Sequence, residues 1–348
     1  MYRSDNPAHV SVFAIGEDGN LWERVLGEEW SWVNHGNGGS SGLVAGPSAI
    51  SLPKEIPSLR VVCMDRAGGI REKRLESEWS WTYISPPQVD LVMRPEILYR
   101  PSDADRVSIF VVANNGDLWE SVLTSQEWKW VAHRQCDSGG PIYSGPAALY
   151  RNGKGDPYGL SVFVASWSNN LQEWSYKPSE GEGWHNHEYN ISPVASRPSA
   201  LYLNPPDEPW MRVYVIGEDG NLYERKFNGH SGWVWTSVGS SGSPNVFGAP
   251  SAVNRKISGA PQDVSVFALT SEGNLVEAAL ESDKWAWVNH GNNASTVISS
   301  QPSAVAFPAG TFDDGTTLRV FTVDTSGTLQ ERYLPSSGWG WYSHGQPS

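Results

Sequence analysis

Seven related segments, about fifty residues apart, run through the 348 residues of the chain. The clearest spans Val10 to Gly36 and reads VSVFAIGEDGNLWERVLGEEWSWVNHG; further copies begin at Leu59, Val107, Leu160, Arg212, Val264 and Leu318. A period of this length marks an array of supersecondary units, and no unit of three or four strands can bury both of its faces alone. Length alone would suggest two or three domains. The repeat instead makes the whole chain, 1–348, one domain.

Each copy carries strand signals and no helical period. A short segment opens with Pro-Ser-Ala or a variant, with prolines at Pro47, Pro95, Pro146, Pro198, Pro250 and Pro302. Proline is tolerated at the first residue of a strand. An irregular Pro-, Gly- and Asp-rich loop follows, then an alternating run such as Val-Ser-Val-Phe, a turn of the Asp-Gly or Asn-Gly type, an Asn-Leu-x-Glu strand and a Trp-x-Trp strand. Four antiparallel strands repeated seven times predict an all-β, seven-bladed β-propeller. The blades run approximately 1–42 with 346–348, 43–90, 91–141, 142–193, 194–245, 246–297 and 298–345. Met1 to Phe13 aligns on Leu98 to Phe110, and Gln346 to Ser348 matches Gln301 to Ser303. The two chain ends are therefore expected to share the innermost strand of blade 1, which leaves no free sheet edge.

A formal net charge of −13 disfavours nucleic acid and anionic membrane surfaces, both of which call for clustered Lys and Arg. Cys63 and Cys136 read as two lone thiols rather than a framework. The first residues have neither a basic start nor an apolar stretch, so no signal peptide is seen. No run reaches the length of a membrane span. The expectation is a soluble protein, cytoplasmic or exported by a non-classical route.

Position-by-position comparison separates construction from variation. Glu23, Glu72, Glu120, Glu173, Glu224, Glu277 and Glu331 recur on the third strand. A carboxylate in every blade suits a buried structural acceptor for backbone or Trp N–H groups, with contact to a sugar hydroxyl as the alternative; an acid–base pair, whose members need different environments, fits least. The fourth strand carries Trp30/Trp32, Trp79/Trp81, Trp128/Trp130, Trp233/Trp235, Trp285/Trp287 and Trp339/Trp341; blade 4 keeps only Trp184, followed by His185-Asn186. One Trp of each pair is expected in the core between blades, the other lining a groove where an indole can stack on a sugar. Asn34-His35-Gly36, His133, Asn289-His290-Gly291 and His344-Gly345 follow the pairs, while blade 2 has Tyr83-Ile84-Ser85 and blade 5 Val238-Gly239. A histidine present in only some blades reads equally as a ligand contact or a loop hydrogen bond. Before the glutamate, Trp22, Trp119 and Tyr223 form a second candidate stacking position, with packing on the next blade as the alternative. The candidate sugar-binding set is thus Trp22, Trp30, Trp32, Asn34, His35, Gly36, Trp119, Trp128, Trp130, His133, Tyr223, Trp235, Trp285, Trp287, Asn289, His290, Trp339, Trp341 and His344. Histidines a blade apart cannot share a metal, the turns lack the carboxylates of a calcium cage, and no cofactor motif occurs.

The pattern (P)SA…VFV.G.DGNLWE…W.W..HG, seven to a chain, resembles the PLL-like seven-bladed propeller lectins of insect-pathogenic bacteria, and the resemblance covers essentially the whole chain. It implies glycan partners, L-fucose and O-methylated sugars, bound at shallow sites between blades, with no enzymatic activity, no obligatory metal, and self-association into homo-oligomers. Blades 1, 6 and 7 hold the full W.W..HG pattern and blade 3 keeps W.W..H.

Three readings follow. The first is a multivalent carbohydrate-binding protein whose weak repeated sites act through avidity. The second is a protein-interaction scaffold without sugar binding. The third is a propeller glycosidase with one axial site, which requires a cluster that breaks the repeat; none is visible in the sequence.

Overall fold

Alternating apolar residues in the second segment of each copy, and a glycine turn after it, produce the hairpins that the repeat predicts. The computed structural model describes residues 10–52, 58–101, 106–124, 127–134, 140–151, 159–188, 192–203, 210–227, 232–239, 243–255, 263–281, 283–293, 297–308 and 310–347. These form seven antiparallel sheets and no helix, a seven-bladed β-propeller. Blade 6 shows the unit: an inner strand Val246–Asn254, a second Val264–Thr270, a third Leu275–Glu281 and an outer Lys284–Gly291. Blade 1 has three described strands, Val10–Ile15, Leu21–Leu26 and Trp30–Gly36. Its expected innermost strand falls on Met1 to His9 and Ser348, which lie outside the described residues; Gln346 and Pro347 are described and lie in no strand.

The turn between second and third strands needs a positive φ. Gly19 (73°), Gly116 (81°), Gly220 (74°) and Gly273 (72°) supply it, and in blade 4 Asn169 takes the same conformation at 60°. In five blades the turn also seats the next blade: the Leu43 N–H donates to the Gly19 carbonyl and the Val246 N–H to that of Gly220, both at 2.9 Å.

The hydrophobic core is divided among the joints between blades. Seven clusters occur among the described residues, each drawing on two neighbours. One of them joins Phe307, Phe321 and Leu329 of blade 7 to Val10, Trp30 and Trp32 of blade 1, so last blade meets first through packing. Cys63 is buried as a free thiol in the joint between blades 1 and 2, and burial pushes its pKa up to about 12. No helix of the described residues is long and apolar enough to cross a membrane.

Because stability is held in these joints, a single joint residue should matter more than any exposed strand residue. Phe267→Ala, at a position with no exposed surface, should lower stability by about 3–5 kcal/mol. Val234→Ala on an exposed outer strand should change it by less than about 0.5 kcal/mol. Denaturant unfolding followed by tryptophan fluorescence compares the two; equal effects would contradict a core divided among joints.

Candidate functional site

The third strand alternates Leu-x-Glu, so leucine and glutamate share a face, and all seven glutamates are at most 4 % exposed. A buried carboxylate requires partners. Hairpin register supplies one from the second strand: Phe13 pairs with Glu23, which leaves the residue twelve before the glutamate diagonal to it on the same face. That residue is Ser11, Ser108 or Ser161 in blades 1, 3 and 4, each hydroxyl donating to Glu23, Glu120 or Glu173 at 2.5 Å, and Ser265 donates to Glu277 in blade 6. In blades 2, 5 and 7 it is arginine. Arg60 and Arg212 reach Glu72 and Glu224 at 2.5 Å, and Arg319 pairs with Glu331. The expectation of a structural acceptor holds, with serine, arginine and histidine as donors in place of backbone or indole N–H groups.

Histidine is the second partner. His35, His133, His187, His290 and His344 place Nε2 at 2.9–3.0 Å from Glu23, Glu120, Glu173, Glu277 and Glu331, and all are buried. In blades 1, 6 and 7 a register shift in the outer strand turns the imidazole inward, and the following Gly36, Gly291 and Gly345 have φ near 70°. The Asn34 and Asn289 side chains accept the Gly36 and Gly291 N–H groups at 2.7 and 2.8 Å, closing the bulge. Asn-His-Gly is therefore the signature of a bulge as much as of a surface. The blade 4 insertion concealed His187, which lies fourteen residues after Glu173; His185 instead meets the Ser175 hydroxyl at 3.1 Å. Ile84 and Val238 occupy the histidine place in blades 2 and 5, each 2 % exposed.

The opposite face of each blade presents the tryptophans to its neighbour. The first Trp packs on the preceding histidine, with Trp30 on His344, Trp79 on His35, Trp233 on His187 and Trp339 on His290, all at 4.5 Å between ring centres. Trp285 meets Tyr214 at 6.0 Å instead. The second Trp donates its indole N–H to a backbone carbonyl of the preceding blade: Trp32 to His344, Trp81 to His35, Trp130 to Ser85, Trp235 to Glu188 and Trp341 to His290, at 2.6–3.2 Å. Both members of each pair thus serve the joint, and both stay half-buried. Trp128 and Trp130 pack on Ile84 and its neighbours. Trp287 packs on the cluster containing Val238, and its N–H is buried without a partner.

A cation lies over four of these pairs. Arg24, Lys73, Arg225 and Arg332 sit 5.1–5.4 Å from the rings of Trp32, Trp81, Trp235 and Trp341. Loss of solvent lowers the pKa of each. Arg24 also donates to His344 Nδ1 at 3.3 Å and Arg332 to His290 Nδ1 at 3.4 Å, which assigns the proton of both imidazoles to Nε2, facing glutamate.

The position before the glutamate does something else. Trp22 donates to the turn carboxylate of Asp18 at 3.2 Å and Tyr223 to that of Asp219 at 2.5 Å; both rings are buried. Trp119 has Asn115 in that turn, and its N–H is buried without a partner.

Three grooves carry a fuller set. Arg60, Arg212 and Arg319 leave Nε buried without a partner, donors that cost free energy until a hydroxyl or water reaches them. In the joint of blades 7 and 1, Arg319 lies 4.7 Å from the Phe312 ring and 5.8 Å from that of Trp30. Carboxylate, guanidinium and flat aromatic surface together suit a neutral polyol with an apolar face. Sequence reasoning missed these arginines and the cations after the glutamate. The signal was there: a twelve-residue Arg–Glu spacing, repeated three times.

One cluster escapes the repeat. The axial channel, lined by inner strands and, beside blades 7 and 1, by residues 11–15 and 321–323 of second strands, holds Arg94, Glu96 and Arg197, the charged cluster for which the sequence reading finds no sign.

A family model described as fungal fucose-specific lectin matches residues 97–346. Among curated proteins none matches. Among solved structures, the BP39L lectin of Burkholderia pseudomallei is 20 % identical with a TM-score of 0.74, covering 99 % of this chain and 97 % of its own. The SapL1 lectin in complex with alpha methyl fucoside is 19 % identical, TM-score 0.56, covering 88 % and 98 %. The fucose-specific lectin of Aleuria aurantia is 17 % identical, TM-score 0.56, covering 88 % and 97 %, and its fold has six blades.

The buried pairs tie stability to pH. Burial raises the carboxyl pKa values of Glu120, Glu173 and Glu277, but bonds from histidine and serine and nearby positive charge outweigh it, holding each below the ordinary 4.5. Their contribution is present above that value and is lost as pH falls through the folded values. Loss of solvent holds His344 below 6.5 despite Glu331, so neutral imidazole is favoured in the fold and its contribution also falls with pH, beginning near 6.5. Unfolding free energy should therefore be lower at pH 4 than at pH 7. Glu277→Gln, which removes the carboxylate that His290 and Ser265 bond, should cost about 1–3 kcal/mol at pH 7 and flatten that dependence. Denaturant titrations at the two pH values decide it; a flat profile for the parent protein would contradict the assignment.

Proposed function

The chain belongs to the fungal fucose-specific lectin family and is a carbohydrate-binding protein, and we propose that it is a multivalent lectin for fucosylated and O-methylated glycans, bound in the grooves between blades. The observation that carries this reading is the composition of the joint: one blade offers a carboxylate with its donors, the next offers half-buried indoles and a cation. L-Fucose has hydroxyls that donate and accept, and a methyl group continuous with an apolar C–H face. Stacking satisfies the apolar face, and the half-buried arginine over the second indole, Arg24, Arg225 or Arg332, is the donor for the hydroxyls. A methyl ether on a hydroxyl enlarges the apolar face and removes one donor, which suits a groove rich in indole.

Groove 7/1 is the most complete, with Glu331, Arg319, Trp30, Trp32, Arg24 and the exposed ring of Tyr342. Grooves 2/3 and 5/6 join Arg60–Glu72 to Trp128 and Arg212–Glu224 to Trp285. The SapL1 complex, in which a related propeller holds alpha methyl fucoside, supports the choice of ligand. Seven similar carboxylates, each buried and hydrogen-bonded within its blade, also favour binding over catalysis, since glycoside hydrolysis needs two differently tuned carboxyls together. Shallow sites around a ring act together on a surface crowded with glycans.

Calorimetric titration with methyl α-L-fucoside, together with a glycan array, tests the reading. The expected result is weak binding at more than one site per chain and much tighter retention on multivalent fucosylated or O-methylated glycans. Trp32→Ala should lower the number of occupied sites by one while the protein stays folded by circular dichroism. A blank array from folded protein would overturn the proposal in favour of an interaction scaffold.

A further inference from the structure

The axis of the ring carries chemistry that the grooves do not. In three of the six described inner strands the serine after the proline accepts an N–H from the next blade: Ser48 from Ile97 at 3.2 Å, Ser199 from Ala252 and Ser251 from Ala304 at 3.0 Å. This belt fails at blades 3 and 4, where Glu96 and Ala147 replace serine. Before the proline, blades 3 and 5 have Arg94 and Arg197 where blades 2, 4 and 6 have Gly46, Gly145 and Ala249.

Arg197 spans blade 4. It donates to the Pro146 carbonyl at 2.6 and 3.0 Å and to Glu96 at 2.8 Å, and Ser48 adds a bond to the same carboxylate oxygen at 3.3 Å. Glu96 is thereby neutralised. Arg94 donates to the Pro47 carbonyl at 2.6 Å, is exposed to the channel, and has no carboxylate within ion-pair distance among the described residues. Loss of solvent and then the like charge of Arg197 lower its pKa, against the pull of Glu96. The cluster carries one uncompensated positive charge in a molecule whose formal net charge is −13. Around it the described lining is uncharged, with hydroxyls of Ser48, Ser251 and Ser303 and the amide of Gln301 set among alanine, valine and proline side chains.

We propose that this axial channel is a single-copy site for a carboxylate-bearing sugar, its acid group held by Arg94 and its hydroxyls by the serine belt. A concave, low-dielectric wall strengthens a guanidinium–carboxylate contact over its value in open water, and the planar fork of arginine fits a carboxylate. The surrounding serines match hydroxyls better than an apolar chain. The one carboxylate in the cluster is already paired with Arg197, so the site binds without hydrolysing.

The test is calorimetry with methyl β-D-glucuronoside on protein whose grooves are first saturated with methyl α-L-fucoside, and methyl β-D-glucoside as the neutral control. The expected result is one glucuronoside per chain, weakened by added salt, with no binding of the glucoside. Arg94→Gln should weaken glucuronoside binding at least about tenfold, the loss of one charge-assisted hydrogen bond, and leave the fucoside titration unchanged. Absence of binding, equal binding of the neutral glucoside, or full affinity in the Arg94→Gln protein would overturn the site. Sodium acetate matching the glucuronoside would overturn its assignment to a sugar. None of these outcomes touches the groove sites, which the fucoside titration reads separately.

Discussion

The carboxylate buried on the third strand of every blade is the constraint that the rest of the ring answers to. Taking a charge out of water costs several kcal/mol even after relaxation, and only close, well-directed partners offset it. Glu23 is answered from within its own blade by Ser11 and His35. His35 is in turn fixed by the next blade, whose Trp79 packs on its ring and whose Trp81 bonds its carbonyl. The charge that one blade buries is thus shielded by its neighbour. A blade alone would leave the imidazole and carboxylate open to water, which explains why the unit appears only as a closed set.

Blades solve the carboxylate problem in different ways, and the differences are correlated. Where histidine is lost, at Ile84 and Val238, arginine stands twelve residues before the glutamate, as Arg60 and Arg212. Tyr214 adds its hydroxyl to Glu224 at 2.9 Å. Blades 1, 3, 4 and 6 combine serine with histidine, and in blade 3 Arg100 comes from the inner strand to lie 3.3 Å from Glu120. Blade 7 alone has both Arg319 and His344. Histidine and arginine are therefore alternative answers to one demand. A pattern of presence and absence that looks like selection for ligand contact has a folding explanation available, and the groove chemistry that results differs from blade to blade.

The fold was legible because it rests on local, repeated signals: β alternation, a glycine at the positive-φ turn of every blade but the fourth, and a proline at or near the start of each described inner strand. Copy number set blade number. The candidate site was legible in outline only. Trp30, Trp32 and their equivalents do lie at the joints, yet which edge faces solvent depends on the neighbouring blade, a relation between residues some fifty positions apart that no single copy displays. His187 was hidden by an insertion that shifts the outer strand without disturbing its pairing to Leu171. Trp22 and Tyr223 looked like stacking surfaces because aromatic rings can both pack and bind; their bonds to Asp18 and Asp219 emerge only when the turn folds back over the strand. Nothing in a single copy sets Arg94 and Arg197 apart from other residues beside a proline, because the axis gathers residues from several blades at once.

Sugar sites at the joints, as proposed, would have a physical consequence for how such a protein can evolve. Each paired tryptophan packs against its neighbour and stays half-buried, so a change that improved its contact with a glycan would also alter a joint of the ring. Deep pockets would require removing indole surface that seven joints depend on. Shallow grooves leave the joints intact, and repetition around the ring recovers avidity without deepening any of them. The axis is free of that restriction. Its residues line an opening rather than a packed joint, and Gly46, Arg94, Gly145, Arg197, Ala249 and Gln301 differ at one equivalent position while the inner strands around them keep their pairing. A site that must be unique in a sevenfold ring has most room to diverge at the axis, and that is where the repeat is broken.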